Sequence, residues 1–130
     1  MQSVDANVLI RILVDDTKQM EQVKLARQFA KKAQKLFITQ IVQVELIWVL
    51  ESVYKLDKTE ILRILNHLNT NDAFVLQNNS QYEMALHLYQ THQADFSDCL
   101  ILAESTNHEC NVVSFDKKFG KLPKAHCLGS

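Results

Sequence analysis

Glycine and proline are nearly missing from this chain: two Gly and one Pro in 130 residues. An all-β sandwich or barrel turns often and draws on both, so that class is excluded and the composition leans towards helix. Cysteine is scarce as well. Cys99, Cys110 and Cys127 are odd in number and never closer than eleven residues, which excludes a disulfide framework and a CxxC redox or zinc motif. A reducing, cytoplasmic setting is the expectation. The five histidines form no HExxH, and Gly120 and Gly129 stand alone, so neither a zinc-protease helix nor a Gly-rich phosphate loop is present. No wholly apolar run exceeds five residues, Leu46–Leu50 being one such run, whereas a membrane span needs about 20. Nothing at Met1-Gln2-Ser3-Val4 reads as a signal peptide. These absences lead us to expect a soluble protein with no membrane partner.

What is present is globular. Hydrophobic residues make up 47% and charged residues 22%, and 15.0 kDa suits one domain over residues 1–130. The net charge of −1 hides a pattern. Residues 1–44 carry seven Lys/Arg against four Asp/Glu, residues 45–110 three against ten, and residues 111–130 four against one. Both ends are basic and the middle is acidic.

Short β-like runs alternate with helical patterns. Strands are expected at Gln2–Asp5, Leu36–Thr39, Ala73–Leu76, Asn111–Ser114 and, at an edge, Ala125–Leu128. Between them the apolar spacing predicts helices over about 7–14, 17–33, 41–54, 57–68, 80–91 and 97–108, with a short one near 116–119. Asp16 is expected to cap the second helix. Asp57…Glu60 and Ser80…Glu83 read as capping boxes. This order implies an α/β fold of three layers, α/β/α, around a central, mainly parallel sheet of four to five strands. Such folds work outside the carboxyl ends of their strands.

Four acids fall on that map. Asp5 closes the first strand, Asp116 follows the fourth by two residues, and Asp98 lies at a helix start in Asp95-Phe-Ser-Asp98-Cys. Glu45 sits in Ile41-Val-Gln-Val-Glu45-Leu-Ile-Trp-Val-Leu50, sharing a helical stripe with Ile41 and Trp48. Among such neighbours a carboxylate is expected to be partly desolvated. Each acid also has an ordinary reading: Asp5 as a strand-end turn residue, Asp98 and Asp116 as helix caps, Glu45 as an edge residue or a lysine partner. Asp95 reads most simply as a loop residue. Taken together, carboxylates converging on one strand edge repel one another, and a hard divalent ion such as Mg²⁺ or Mn²⁺ relieves the repulsion. Arg11, Lys117 and Lys118 are placed to hold flanking phosphates, or else are solvated surface charges. Cys99 reads as a small core residue, and Trp48, Phe29 and Phe74 as core or dimer contacts.

At these residues the chain resembles a known family. Val4-Asp5-Ala6-Asn7-Val8-Leu9, the isolated Glu45, Ala94-Asp95-Phe96-Ser97-Asp98-Cys99-Leu100-Ile101 and Val113-Ser114-Phe115-Asp116-Lys117-Lys118-Phe119 look like the four acidic motifs of PIN domains, in order. Size and helix order are most similar to VapC-type toxins of toxin–antitoxin pairs. The resemblance implies a Mg²⁺- or Mn²⁺-dependent endoribonuclease, homodimeric and inhibited by a cognate antitoxin. Matched residue by residue, Asp5, Glu45, Asp98 and Asp116 form the acidic quartet, with Asp5 and Asp98 the principal metal ligands. Asn7 and Ser114 would orient carboxylates, with Asp95 in support. Gln93 stands where Gly is frequent and Ser114 where Thr is, and neither change removes a ligand. The competing reading is a non-catalytic, receiver-like module whose acids bind an ion and a basic protein. Against it, receiver domains carry paired acids after the first strand, and here Asp5 is followed by Ala6 and Asn7.

Overall fold

The computed structural model describes residues 1–129. They form two compact units, the first spanning Met1–Gln77 and the second beginning at Asn78.

In the first unit three short strands pair in parallel in the order β1 (Gln2–Ser3), β2 (Leu36–Ile38), β3 (Phe74–Leu76). Gln2 faces Leu36, and Leu36 faces Phe74. Helix α1 (Ala6–Leu13) starts where Asp5 leaves the strand: its Oδ1 accepts the Val8 N–H at 2.9 Å. The dense apolar run of α1 is explained by burial, since Leu9 and Ile10 are fully enclosed and the helix packs on both α2 (Met20–Ala33) and α3 (Gln40–Ser52). Thr39 caps α3, its Oγ1 accepting the Val42 N–H. Helix α4 (Lys58–Thr70) opens on the expected reciprocal box of Asp57 and Glu60.

The start of α2 departs from expectation. Asp16 does not cap it: Gln19 occupies that place and makes no side-chain cap bond. Asp16 is already spent, one oxygen accepting the Lys18 N–H at 2.9 Å and the other the Tyr54 hydroxyl at 2.8 Å. A local Asx turn and a donor from just beyond the end of α3 outcompete the cap.

The polar Gln43 is among the most buried residues, 1% exposed. Its Nε2 donates to the carbonyl oxygens of Ile38 (3.2 Å) and Gln77 (3.3 Å), and the Gln77 Oε1 in turn accepts the Gln40 N–H at 2.8 Å. The start of α3 is thereby stitched to the carboxyl ends of β2 and β3. Left unpaired, the buried backbone groups at those ends would each cost about 1–3 kcal/mol.

In the second unit α5 (Asn79–Thr91) packs along α6 (Phe96–Asn107). The Phe96 ring meets Tyr82 and Tyr89 at centroid separations of 6.0 and 5.9 Å, and Cys99 is buried beside them as a small core residue. Burial pushes the Tyr82 phenol well above its ordinary range. The expected Ser80…Glu83 box is not how α5 begins. Asn78 takes a left-handed conformation (φ 51°) with no side-chain cap bond, and its carbonyl accepts the Gln81 and Tyr82 N–H groups. Asn tolerates that conformation, so the chain turns into the helix two residues early and leaves Ser80 inside the first turn.

Strands β4 (Val112–Ser114) and β5 (Ala125–Cys127) pair in parallel, joined through a 3₁₀ turn at Phe119–Lys121. Gly120 is required there: a Cβ would fall 2.6 Å from the Cys127 Cβ. All five expected strands thus exist and all pair in parallel, with ladders β1-β2-β3 and β4-β5. Among the described residues no helix is long and apolar enough to cross a membrane.

Candidate active site at the strand ends

In the first unit Asp5 stands at the carboxyl end of β1, exposed, with Asn7 beside it. The α1 amino terminus behind Asp5 favours a negative charge. Both residues line a cleft of about 570 Å³ whose wall includes Arg11, Gln22, Leu25 and Phe29.

Arg11 is not a loose cation. Its Nη1 donates to the Tyr54 hydroxyl at 2.7 Å, its Nε to the Gln22 Oε1 at 2.9 Å, and its guanidinium lies 3.8 Å from Asp16. The Tyr54 hydroxyl, the Lys18 N–H and Arg11 hold the Asp16 carboxyl below its ordinary range. Burial, then the Asp16 bond, pushes the Tyr54 phenol up. The network ties α1 to the turn before α2 and to the residues just after α3. The sequence offered Arg11 as a phosphate contact or a solvated charge; its partner Tyr54 lies 43 positions away and gives no local signal.

Glu45 also differs from expectation. It is exposed and not desolvated, on the outer stripe of α3 with Ile41 (71% exposed) and Trp48 (66% exposed). The core-facing residues of α3 are Val42, Gln43, Leu46, Ile47 and Leu50. Because this helix is apolar on both faces, its composition could not say which stripe was inside. Trp48 is accordingly not a core residue, while Phe29 and Phe74 are half-buried.

In the second unit three acids act on one another. Asp95 precedes α6 at its cap position without a side-chain cap bond, and Asp98 occupies the first turn. Helix α6 packs against β4. Asp116 lies just beyond that strand, its N–H donating to the Ser114 Oγ at 3.0 Å and its Oδ1 accepting from Lys118 (2.7 Å) and Phe119 (3.2 Å) N–H groups. Ser114 thus orients Asp116 through the backbone, and Asp116 does perform the turn-capping role that its position suggested. Asp98 is half-buried, and its carboxyl is pushed above the ordinary 3.8 by burial first, then by the charges of Asp95 and Asp116. Lys117 and Lys118 are exposed.

These donors are carboxylates without thiolate or imidazole, a set suited to a hard cation. Among the described residues no three His, Cys, Asp or Glu side chains are gathered closely enough to hold a metal ion. Burial, and then the charges of Asp95 and Asp116, disfavour the ionised form of Asp98.

The chain is 27% identical over 124 residues, covering 94% of its length and 92% of the relative's, to the VapC ribonuclease of Aquifex aeolicus (strain VF5). The family model for the PIN domain matches residues 3–125, nearly the whole chain and every candidate acid, so the chain belongs to the PIN domain family.

Proposed function

We propose that this chain is a metal-dependent endoribonuclease, the toxin of a toxin–antitoxin pair, with residues 1–130 acting as a single PIN domain. The observation that carries the reading is Asp98, half-buried in the first turn of α6, its charged form disfavoured by burial first and then by the charges of Asp95 and Asp116. Retaining a carboxylate against that cost suits a group with a positive ligand to bind. The name of the A. aeolicus relative, a ribonuclease, supports the same reaction class.

In this reading Asp5 and Asp98 would be the principal ligands of Mg²⁺, or of Mn²⁺ in its place, and Glu45 and Asp116 would complete the set. When bound, such an ion acts as a Lewis acid on the phosphate and makes water a stronger nucleophile. Asn7 and Ser114 keep the carboxylates oriented, and Lys117 and Lys118 hold the flanking phosphates. Arg11, committed to Tyr54, Gln22 and Asp16, is assigned to the scaffold instead. A cognate antitoxin and a second copy of the chain are the expected protein partners, supported by apolar side chains exposed on α2 and α3, Leu25, Ile41 and Trp48 among them. The cytoplasm is the proposed compartment, in keeping with three free cysteines.

The test is incubation of a structured RNA with purified protein, freed of any partner, in Mg²⁺, Mn²⁺ or EDTA. Internal cleavage with either metal and none in EDTA is the expected result. Intact RNA in every arm overturns the proposal.

A further inference from the structure

Five of the six phenylalanines are buried or half-buried; Phe115 is 81% exposed. It is not a loose end. The residue before it is the last of β4, where the Ser114 carbonyl accepts the Leu128 N–H at 2.7 Å. The residue after it is Asp116, fixed by bonds to Ser114, Lys118 and Phe119. The Phe115 carbonyl itself lies 3.6 Å from the Cys127 Sγ. The backbone is pinned on both sides, so the exposed position of this residue is set by the fold.

An aromatic ring in water offers an apolar face with no packing partner. Here it is adjacent in sequence to one candidate acid and followed by two exposed lysines. Residues 111–130 carry four Lys against one Asp, a balance that attracts phosphates and disfavours a basic protein. A fixed aromatic face beside a cationic track is the combination that binds single strands: lysines follow the backbone and a base stacks on the ring.

We propose that Phe115 is a base-stacking residue that holds the unpaired nucleobase next to the phosphate being cut. The proposal rests on the ribonuclease reading and adds a binding subsite to it. In the sequence Phe115 stands out only as part of the fourth acidic motif; its exposure is visible in the structure alone.

The test separates the two claims by measuring binding apart from cleavage. Fluorescence anisotropy in EDTA follows a labelled single-stranded RNA oligonucleotide, and the same oligonucleotide with one abasic position near the cleavage point, on wild type, Phe115→Ala, Phe115→Leu and Phe115→Trp. Circular dichroism checks that each variant folds. Phe115→Ala and Phe115→Leu should both bind the intact oligonucleotide on the order of ten- to a hundredfold more weakly. Phe115→Trp should restore binding, and the abasic oligonucleotide should bind wild type and Phe115→Ala alike. Unchanged affinity in Phe115→Ala, full binding by Phe115→Leu, or an equal loss on the abasic oligonucleotide overturns stacking. So does an effect confined to self-association in sedimentation. Base-dependent binding without cleavage in Mn²⁺ would keep the subsite and discard the nuclease. Cleavage with no effect of Phe115 would do the reverse.

Discussion

Asp98→Asn is expected to lose RNA cleavage and to melt at a higher temperature than wild type at neutral pH. The first effect follows from the proposed role of Asp98 as a metal ligand, and a fall of at least about a hundredfold is the expectation for such a group. The second follows from burial and from the repulsion by Asp95 and Asp116. The sign is fixed by linkage. The folded carboxyl titrates above the ordinary 3.8, so its protonated form is the one the fold favours. Below 3.8 the wild type has no penalty, and as pH rises through the folded pKa the penalty enters in full. The gap in melting temperature should therefore be absent in acid, open as pH rises, and stay open at neutrality. If Asp98 is a ligand as proposed, adding Mg²⁺ should raise the wild-type melting temperature and leave Asp98→Asn unmoved, since an ion that binds the folded state stabilises it. Equal melting temperatures at every pH, with cleavage retained, would remove Asp98 from the site. The exchange of stability for function is one that active sites commonly make.

The second large effect lies in the packing that holds Asp98. Phe96→Ala removes a ring buried to 1% exposure between Tyr82 and Tyr89, two positions before the acid on the same helix. Truncation of a buried Phe costs about 3–5 kcal/mol through lost transfer energy and the cavity left behind. A domain of this size has roughly 5–15 kcal/mol in all. Urea unfolding should show that loss as a lower midpoint, and Phe96→Leu should recover most of it. A loss below about 1 kcal/mol would mean that the α5–α6 core collapses around the gap and that Phe96 is not its anchor.

Much of this was legible in the sequence, for identifiable reasons. The parallel strands were visible because short β runs bounded by polar residues alternate with 3.6-residue stripes, and the Asp57…Glu60 box because its two bonds are local. Asp5, Asp98 and Asp116 were singled out because acids at strand and helix ends sit where parallel folds work. What was hidden depended on partners distant in the chain. Asp16 misled because Tyr54 takes the oxygen that a cap would use. Glu45 misled because α3 is apolar on both sides, and only packing shows that Gln43 faces inward and Glu45 outward. Ser80 misled because Asn78 can adopt a left-handed turn that a box motif does not anticipate.

The claim to test first is the proposal that RNA cleavage needs both Asp5 and Asp98. Single-turnover cleavage by wild type, Asp5→Asn, Asp98→Asn and the double variant tests it most directly. Groups that act together are lost together, so the account predicts that either single substitution removes nearly all activity and that the double variant is no slower than the worse single. Wild-type cleavage by Asp5→Asn, or losses that multiply in the double variant, would contradict it.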